Sequence, residues 1–465
     1  MKETISETKM IGAEGLFEMA DGIIKKCEDA DCELLFVRTS GGLTRLANST
    51  IHQNVHTDDT DVNIRVSRDG RIGTATTNLL APDGLLDCLA NALEIMRTSE
   101  PLEGFPGAAP KVKYRKTETF VESTAGWGPE ERAKVAREAI ARAAGDGLIL
   151  AGAVENGVGE IAIANSKGVR AYQPVTSFAC NFVAMDGEGD DPPSGYAALT
   201  GRDVERADFA GVYDRACRKA VLARDPVDVD AGQYDVVLEA AAIGELVEWF
   251  NYIALNAKSV QDGTSPVAGR FGEQITGEWM TLIDDPYGGL VPGIPFDFEG
   301  VPRQKLTLIE RGVPKAVAHS RYTAQQEGIE STGHGLGPGS MPSDSMPLNV
   351  RMTPGEDTLD ELVKKLDRGI LVTRFHYVNG LLDTRKAVMT GMTRDGAWLV
   401  EGGEIKHAIK NLRFTDSMLE AWKRIDGVES VCHPIEAWWS GIGCYDVPAV
   451  LIRKFTFSGK TQKGS

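Results

Sequence analysis

The sequence predicts an α+β fold in which N-terminal α/β segments with a β-hairpin precede a strand-rich C-terminal domain packed around a central helix. Residues 234–238 are apolar and partly β-branched, as in a strand, and from residue 240 the apolar spacing becomes that of a helix. Residues 62–66 alternate apolar and polar side chains before a turn at 68–71 and a second strand at 72–78, which predicts the hairpin. Many short strands are predicted beyond the central helix.

The chain divides into three predicted domains: an N-terminal α+β domain at 1–110, a middle α/β domain at 111–226 and a C-terminal β-rich domain at 227–465. The first boundary lies at a Pro- and Gly-rich linker at 101–110, and the second lies near an Asp-rich stretch at 225–232. The other predicted elements are helices at 11–30, 82–98, 129–144, 208–223 and 358–366, and strands at 34–38, within 154–172, and at 176–185, 305–310, 315–319, 348–352, 370–378 and 449–457.

The central helix has an apolar stripe and two acidic side chains, Glu245 and Glu248, but no His or Cys. Its apolar residues recur at three- and four-residue steps, which places them on one face: Ile243, Leu246, Val247, Phe250 and Ala254. The pattern predicts a helix that packs into the core and carries no complete set of metal ligands.

Composition and charge argue against two classes of function. The chain has 50 Lys and Arg against 67 Asp and Glu, a net charge of −17, which is unlike a nucleic-acid-binding surface. No stretch approaches the roughly 18 apolar residues of a membrane span, and residues 1–9 lack the apolar core of a signal peptide. The seven cysteines include no C-x-x-C pair, which indicates reduced thiols. We therefore expect a cytoplasmic protein that binds neither nucleic acid nor membrane.

Histidine and acidic-residue spacing gives no metal site. His52 and His56 are four residues apart, but in a strand this separates them by roughly 13 Å, too far to share one ion. The acidic loop at 186–195 lacks the spaced ligands of a calcium site, so we interpret it as a solvated loop. We interpret those two histidines as surface or strand-packing residues, and we interpret three others without a spaced partner as structural or surface residues: His376, His407 and His433.

Blocks along nearly the whole chain resemble one known family. Residues 43–54 contain an Arg-x-Ala-Asn-Ser segment leading to Ile-His-Gln-Asn, which is similar to the N-terminal signature of the TldD/PmbA family, also called modulators of DNA gyrase. Residues 235–244 resemble the start of its C-terminal domain. Further similar blocks follow in order at 283–286, 295–301, 309–313, 331–333 and 385–405. The last block departs from the usual Thr-Gly-Asp pattern at Thr390-Gly391-Met392, which indicates a divergent branch.

The resemblance also shows what this chain lacks. In the TldD-type branch the helix carries His-Glu-x-x-x-His, and that motif falls here on Glu248, Trp249 and Ile253. A third ligand, a Cys in TldD-type relatives, falls near Ala437, with thiols nearby only at Cys432 and Cys444. The resemblance is therefore to the PmbA (TldE) type, which implies no catalytic residue, no metal and no cofactor in this chain.

The function implied by the resemblance is that of a non-metal subunit in a peptidase complex. In this family a TldD-type catalytic subunit pairs with a PmbA-type subunit around a cavity that admits unfolded peptides. This chain is expected to shape that chamber and present substrate to its partner, or to form a homodimer. One alternative is a stand-alone peptidase using His334, Glu248 and Asp297. Another is a peptide-binding regulator without hydrolysis.

The loop at 333–347 is too rich in Gly and Pro for regular structure. It is predicted either as a flexible surface loop or as a loop whose backbone pairs with a bound peptide. The candidate substrate-binding residues are therefore those at its start: Ser331, Thr332, Gly333 and His334.

Overall fold

The computed structural model describes residues 10–27, 29–189, 192–438 and 441–460. Within these residues the chain forms three β-sheets, two of six strands and one of seven, with helices packed against them. This mixed architecture confirms the predicted α+β fold. The expectation for residues 1–9 lies outside the described part of the chain. No described helix is long and apolar enough to cross a membrane.

The first sheet takes strands from both the N-terminal and the middle segments. Its strands are β1 (Asp31–Ala47), β2 (Thr50–Arg68), β3 (Arg71–Thr77), β4 (Ile149–Asn165), β5 (Arg170–Met185) and β6 (Ser194–Gly201), in the spatial order β3-β2-β1-β4-β5-β6. The helices are α1 (Gly12–Ile24), α2 (Pro82–Thr98), α3 (Glu122–Ala125), α4 (Pro129–Gly145) and α5 (Phe209–Leu222). Helices α1 and α2 share one buried apolar cluster with β1 and β2, and α4 and α5 share another with β4 to β6. The boundary between the first two domains stays a prediction.

The β2–β3 hairpin and helix α2 are confirmed, but the predicted strand at 34–38 is only a part of β1. Strand β1 continues to Ala47 and returns as β2 through a turn at Asn48 and Ser49, whose φ angles are 48° and 55°. The predicted helix at 11–30 ends at Ile24. Near the turn between β1 and β2, most β2 side chains are exposed or half-exposed, so the sequence of this part of β2 shows no clear alternation of buried and exposed residues.

Strand β5 is one continuous strand where two separate strands were predicted. The break in the sequence pattern is Pro174, which pairs with Glu160 of β4 but lies beyond the part of β5 that pairs with β6. At this position a missing N–H costs no bond to β6. Strand β6 was not predicted at all, because its start was assigned to the acidic loop.

The C-terminal half contains the other two sheets. Its strands are β7 (Gly232–Leu238), β8 (Leu282–Asp284), β9 (Leu306–Glu310), β10 (Val313–Pro314), β11 (Asn349–Met352), β12 (Arg368–Asp383), β13 (Val388–Glu401), β14 (Glu404–Ala408), β15 (Leu412–Ser417), β16 (Ile425–Val428), β17 (His433–Glu436), β18 (Cys444–Val447) and β19 (Val450–Lys460). One sheet has the order β10-β9-β8-β11-β18-β17, and the other has the order β12-β7-β19-β15-β13-β14 with β16 on β19. The helices are α6 (Ala240–Ala254), α7 (Ala257–Gln261), α8 (Arg321–Glu327), α9 (Leu359–Lys364) and α10 (Met418–Trp422).

Helix α6 is the central helix of this half, as predicted. It follows β7 directly, and Glu239, at its N-cap position, has the extended backbone that ends the strand. All five predicted stripe residues are fully buried: Ile243, Leu246, Val247, Phe250 and Ala254. They belong to one apolar cluster with side chains from both C-terminal sheets. Burial of this stripe is the main reason that the two sheets pack around α6.

One strand prediction in this half is wrong. Residues 315–319 form no strand, because the strand that pairs with β9 ends at Pro314. Beyond it, Ala318 instead forms an isolated bridge with Asn256 next to α7. The predicted capping box of α9 is present, with the Thr358 hydroxyl accepting the backbone N–H of Glu361 at 3.2 Å.

Candidate functional site

A cleft with a volume of about 510 Å³ runs beside α6, between the edge of the first sheet and the C-terminal half. Strand β6 and helix α5 form one wall, and α6, β12 and β17 form the other. Charged and polar side chains on these walls include Tyr196, Arg215, Lys219, Glu245, Glu248, Arg374 and Glu436. We call this space the cleft.

Two edge strands line the cleft. Strand β6 is the last strand of the first sheet and pairs with β5, and β17 is the last strand of its own sheet and pairs with β18. Both strands contribute residues to the cleft lining. Edge strands present backbone N–H and C=O groups that have no partner in their own sheet. In the described residues, no further strand pairs with β6 or β17.

Two of the residues on which the TldD-type motif is predicted to fall, Glu248 and Trp249, contact Trp438 beside the cleft. Glu248 is 4% exposed, and its Oε1 accepts the backbone N–H of Trp438 at 2.6 Å across 190 residues of sequence. The rings of Trp249 and Trp438 pack edge to face with centroids 4.8 Å apart. Ala437, where the third ligand was expected, directly precedes Trp438 and is buried. Glu248 and Trp249 therefore lie next to the residue that follows Ala437.

The residues at these positions do not fit a catalytic metal. A zinc peptidase site uses about three His, Cys, Asp or Glu ligands and a position for water. Here Glu248 is the only such side chain among the four, beside Trp249, Ile253 and Ala437. The nearby thiols lie near backbone carbonyls, Cys432 Sγ at 3.4 Å from Met352 O and Cys444 Sγ at 3.5 Å from Ile435 O. In the described part of the chain, no group of three potential ligands is placed to hold a metal ion.

Burial changes the acidity of the carboxyl groups at this end of the cleft. Burial raises the pKa of Glu248 to about 8; the Trp438 N–H opposes the shift, and Glu245 and Glu436 add to it. Burial also raises the pKa of Glu245 to about 7, and the nearby Arg374 guanidinium and the Val378 N–H oppose that shift. Glu245 and Glu248 are three residues apart and so lie on one face of α6. A carboxylate cluster therefore forms one end of the cleft.

Two cations of the cleft lining lie on α5, beside the start of α6. Lys219 of α5 makes an ion pair with Glu239, which precedes α6, and Arg215 lies one turn earlier on α5. Nine residues at the helical rise put Glu239 and Glu248 roughly 13 Å apart along the axis. The Arg374 guanidinium, also in the cleft lining, lies 4.2 Å from the Tyr196 ring centroid, pairs with Asp395 and acts on Glu245. The cleft thus contains both basic and acidic side chains.

Comparison with known proteins agrees with the sequence resemblance. Family models for PmbA/TldA metallopeptidases match the chain in three consecutive parts, domain 1 at 32–96, the central domain at 122–224 and the C-terminal domain at 231–459. The chain belongs to the TldD/PmbA family. The three matched parts follow the order of the predicted domains, and the third begins at β7 and α6.

Individual members of the TldD/PmbA family are similar to this chain in sequence and in fold. A metalloprotease of Methanothermobacter thermautotrophicus is 29% identical over 274 residues, which span 58% of this chain and 60% of that protein. A metalloprotease TldD homolog of Buchnera aphidicola is 26% identical over 403 residues, 82% of each chain. The crystal structure of TldE from Thermococcus kodakarensis superposes with a TM-score of 0.84 at 21% identity, covering 96% of this chain and 100% of that one. This structural likeness establishes the TldD/TldE fold.

The candidate substrate residues lie in a different part of the family fold. His334 is 2% exposed, and its ring nitrogens lie 2.9 Å from Asp284 Oδ2 and 3.0 Å from Thr332 Oγ1. Arg303 also bonds Asp284, at 2.7 Å. Burial lowers the pKa of His334, against the opposing effect of Asp284. The expectation of a flexible surface loop is wrong here, because this end of the loop is packed inside the C-terminal half.

Ser331 and Thr332, which precede His334, are bonded to the backbone of His319. Ser331 Oγ donates to His319 O at 3.2 Å, and Thr332 Oγ1 accepts the His319 N–H at 2.8 Å. Gly333 has a φ of 73°, and a Cβ there would meet Pro302 O at 2.2 Å. None of residues 331–334 is in the described lining of the cleft. A role for them in substrate binding stays a prediction.

Of the three residues considered for a stand-alone peptidase, only Glu248 lines the cleft. Asp297 is buried and accepts the backbone N–H groups of Glu299, Val301 and Gly335. Burial and then the neighbouring Glu299 carboxylate raise the pKa of Asp297. His334 is bonded to Asp284, and Asp297 accepts the N–H of Gly335, the residue after His334. Of the three side chains, Glu248 alone therefore lines the cleft.

The remaining histidines have ordinary surroundings. His52 and His56 are exposed on β2, and His56 Nε2 lies 3.3 Å from Ser40 Oγ. His433 pairs with Glu429 at 3.2 Å on the rim of the cleft.

The sequence analysis did not predict two features of the cleft lining, the β6 and β17 edge strands and Glu436. The only part of the cleft that the sequence indicated was the pair Glu245 and Glu248, whose helical spacing places two acids on the same face of α6.

Proposed function

We propose that this chain is the non-metal, PmbA/TldE-type subunit of a TldD/PmbA-family peptidase complex that acts on unfolded peptides. One observation carries the proposal. The four positions expected to hold ligands and base, Glu248, Trp249, Ile253 and Ala437, supply a single carboxyl group. A chain with this site needs a TldD-type partner, or another subunit with a complete site, to supply the metal.

Two features of the cleft support a role in holding peptide. The β6 and β17 edges offer backbone partners to an extended chain, and this mode of binding is largely independent of side-chain sequence. The bond between Glu248 and the Trp438 N–H fixes the segment after β17 against α6. In the proposed complex this chain binds and orients the substrate while the partner performs hydrolysis. Whether it also forms a homodimer is an outcome of the test below.

We further propose a cytoplasmic location. All seven cysteines lie in the described residues and are free thiols, and six of them are buried. This arrangement is typical of proteins from a reducing compartment.

The test is a peptidase assay on an unfolded substrate with three samples: this chain alone, a TldD-type subunit alone and the two together. We expect hydrolysis by the mixture that a chelator abolishes, and no hydrolysis by this chain alone. Size-exclusion chromatography of the same samples gives the stoichiometry. A matched control replaces the Glu of the partner's His-Glu-x-x-x-His motif by Gln, which removes the general base but leaves the complex intact.

Chelator-sensitive hydrolysis by this chain alone would overturn the proposal in favour of a stand-alone peptidase. Peptide binding without association with any TldD-type subunit would instead favour a regulator. Metal analysis of the purified chain should give no stoichiometric transition metal, since its motif positions supply one carboxyl group.

A further inference from the structure

Three arginines lie on one face of the seven-stranded sheet, and we call them the basic patch: Arg374, Arg394 and Arg413. Arg374 of β12 pairs directly opposite Arg394 of β13. Arg413 of β15 lies opposite Met392, which precedes Arg394 by two residues on β13. Successive side chains of a strand point to opposite faces, so these register pairs place all three guanidinium groups on the same side. Phe414, the residue after Arg413, is fully buried on the other side.

The basic patch carries more positive than negative charge. Within the described residues, Asp395 is the one acid that makes an ion pair with any of its arginines. Asp395 is 4% exposed, pairs with Arg374 and lies 3.9 Å from Arg394. The Arg413 guanidinium has no acidic partner in the described part of the chain and lies 3.6 Å from the Met392 sulfur. Three guanidinium groups therefore share one paired carboxylate.

His376 indicates the sign of the electrostatic potential beside the basic patch. It lies two residues after Arg374 on β12, opposite Met392, and is partly buried. Burial lowers the pKa of His376, the Arg394 and Arg374 guanidinium groups lower it further, and Asp395 opposes them. Nearby cations disfavour a charged imidazole, so the arginines outweigh the one acid at this position. A carboxylate brought to the patch would meet a positive potential.

The basic patch adjoins the cleft through Arg374. This residue lines the cleft, where it acts on Glu245, and its side chain is 26% exposed. Arg394, whose side chain is 39% exposed, and Arg413 follow on the next two strands, β13 and β15. A peptide that leaves the cleft past Arg374 would therefore cross the other two arginines.

We propose that the basic patch binds an acidic segment of the unfolded peptide held in the cleft. This inference rests on the proposed function, because it takes the ligand to be an unfolded peptide, and it adds a substrate class. Guanidinium groups present forked donors that match the geometry of carboxylates. A long polyanion such as nucleic acid would meet the net charge of −17 on the chain, which favours a short acidic segment as the ligand.

The spacing of the arginines favours a particular arrangement of acidic residues. Arg394 and Arg413 are diagonal neighbours on adjacent strands, a relation that corresponds to roughly 7–8 Å. Alternate residues of an extended peptide lie roughly 7 Å apart and point to the same side. Two acidic side chains separated by one residue therefore match the two arginines. Two adjacent acidic residues point to opposite sides, so only one of them can face the patch.

The experiment compares three labelled, unstructured peptides that differ only at three central positions: Glu-Gln-Glu, Glu-Glu-Gln and Gln-Gln-Gln. Fluorescence anisotropy gives the Kd of each peptide for the full-length chain at low salt. We expect the Glu-Gln-Glu peptide to bind about tenfold more tightly than the Gln-Gln-Gln peptide, and about threefold more tightly than the Glu-Glu-Gln peptide.

The double variant Arg394→Gln/Arg413→Gln removes two cations of the patch and leaves the pair between Arg374 and Asp395 in place. It should lower the tenfold ratio to about two or below. The matched control is Arg368→Gln, also on β12, whose side chain is 66% exposed and pairs with Glu401 at the surface. The control should keep the tenfold ratio, and circular dichroism checks that both variants are folded. A Glu-Gln-Glu preference that persists in the folded double variant would overturn the assignment to the patch.

The unmodified chain gives a second measurement that needs no variant. Its preference for the Glu-Gln-Glu peptide should weaken as salt is added, since screening reduces charge–charge attraction. Equal binding of the three peptides, or binding of none, would overturn the inference, and the partner-dependent hydrolysis assay then decides the proposed function separately. Binding of Glu-Glu-Gln at least as tight as that of Glu-Gln-Glu would overturn the match in spacing to Arg394 and Arg413.

Discussion

Glu248 combines burial with a hydrogen bond to a backbone amide. It is the residue on which the first position of the metal motif is predicted to fall, and it fixes the chain next to β17 through the Trp438 N–H. Trp249, the next residue, packs its aromatic ring on Trp438. Both side chains therefore contribute to packing and local rigidity at this place.

We predict that Glu248→Gln stabilises the protein at alkaline pH. Burial raises the pKa of Glu248 from its ordinary value of 4.5 to about 8 in the folded state, which therefore holds this proton more tightly than the unfolded state does. Stability is therefore fully present below about pH 4.5 and falls as pH rises toward about 8. Gln keeps an oxygen for the Trp438 N–H but carries no charge. At pH 9 we expect the free energy of unfolding to be about 1–3 kcal/mol higher in the variant.

Urea denaturation at pH 5, 7 and 9 measures this effect. The control is Glu94→Gln on the exposed face of α2, which should leave the pH dependence unchanged. An unaltered slope of stability against pH in Glu248→Gln would show that burial does not hold this proton.

Helix α6 is the element that both C-terminal sheets share. Phe250 is fully buried on it, and its ring packs edge to face on Trp422 with centroids 4.9 Å apart.

The strand and helix at 234–254 were predicted correctly because their apolar periodicity reflects burial directly. Strand β6 and the length of β1 and β2 were not predicted, because their exposed faces and their breaker residues hide the pattern. The cleft could not be predicted, since it depends on how strands of three sheets meet.

We predict that Phe250→Ala destabilises the protein by about 3–5 kcal/mol, the usual cost of an aromatic-to-alanine cavity in a core. Tyr252→Ala on the same helix is the matched control, because Tyr252 is half exposed and its loss should cost about 1 kcal/mol or less. Chemical denaturation of both variants gives the comparison. Equal losses would mean that the stripe on α6 is not the packing centre of this half.

At the scale of the whole molecule, a buried ion network joins the first sheet to the C-terminal half. Arg65 of β2 is 1% exposed and contacts Glu33 of β1 at 2.8 Å and Glu299 of the C-terminal half at 3.5 Å. Glu299 in turn accepts the Arg321 backbone N–H at 2.8 Å. This contact between the two halves could not be predicted from sequence patterns, since Arg65 and Glu299 are 234 residues apart and have no shared motif.

We predict that Arg65→Met destabilises the protein by about 3–5 kcal/mol, because it leaves Glu33 and Glu299 buried without their cation. Arg68→Met, three residues later on the same strand and exposed, should cost about 0.5 kcal/mol or less. Urea unfolding followed by fluorescence measures both. A loss for Arg65→Met no larger than that of the control would contradict a stabilising role for the network.

The first sheet has a consequence for synthesis on the ribosome. Strand β1 pairs on one side with β2 but on the other with β4, where Leu34 faces Ala164. At typical translation rates, on the order of ten seconds pass between the emergence of these two strands. During that interval the nascent chain displays an apolar strand with one unmatched side, which is a binding target for chaperones. A gene truncated before β4 should therefore yield an aggregating fragment, although its hairpin and both early helices are encoded.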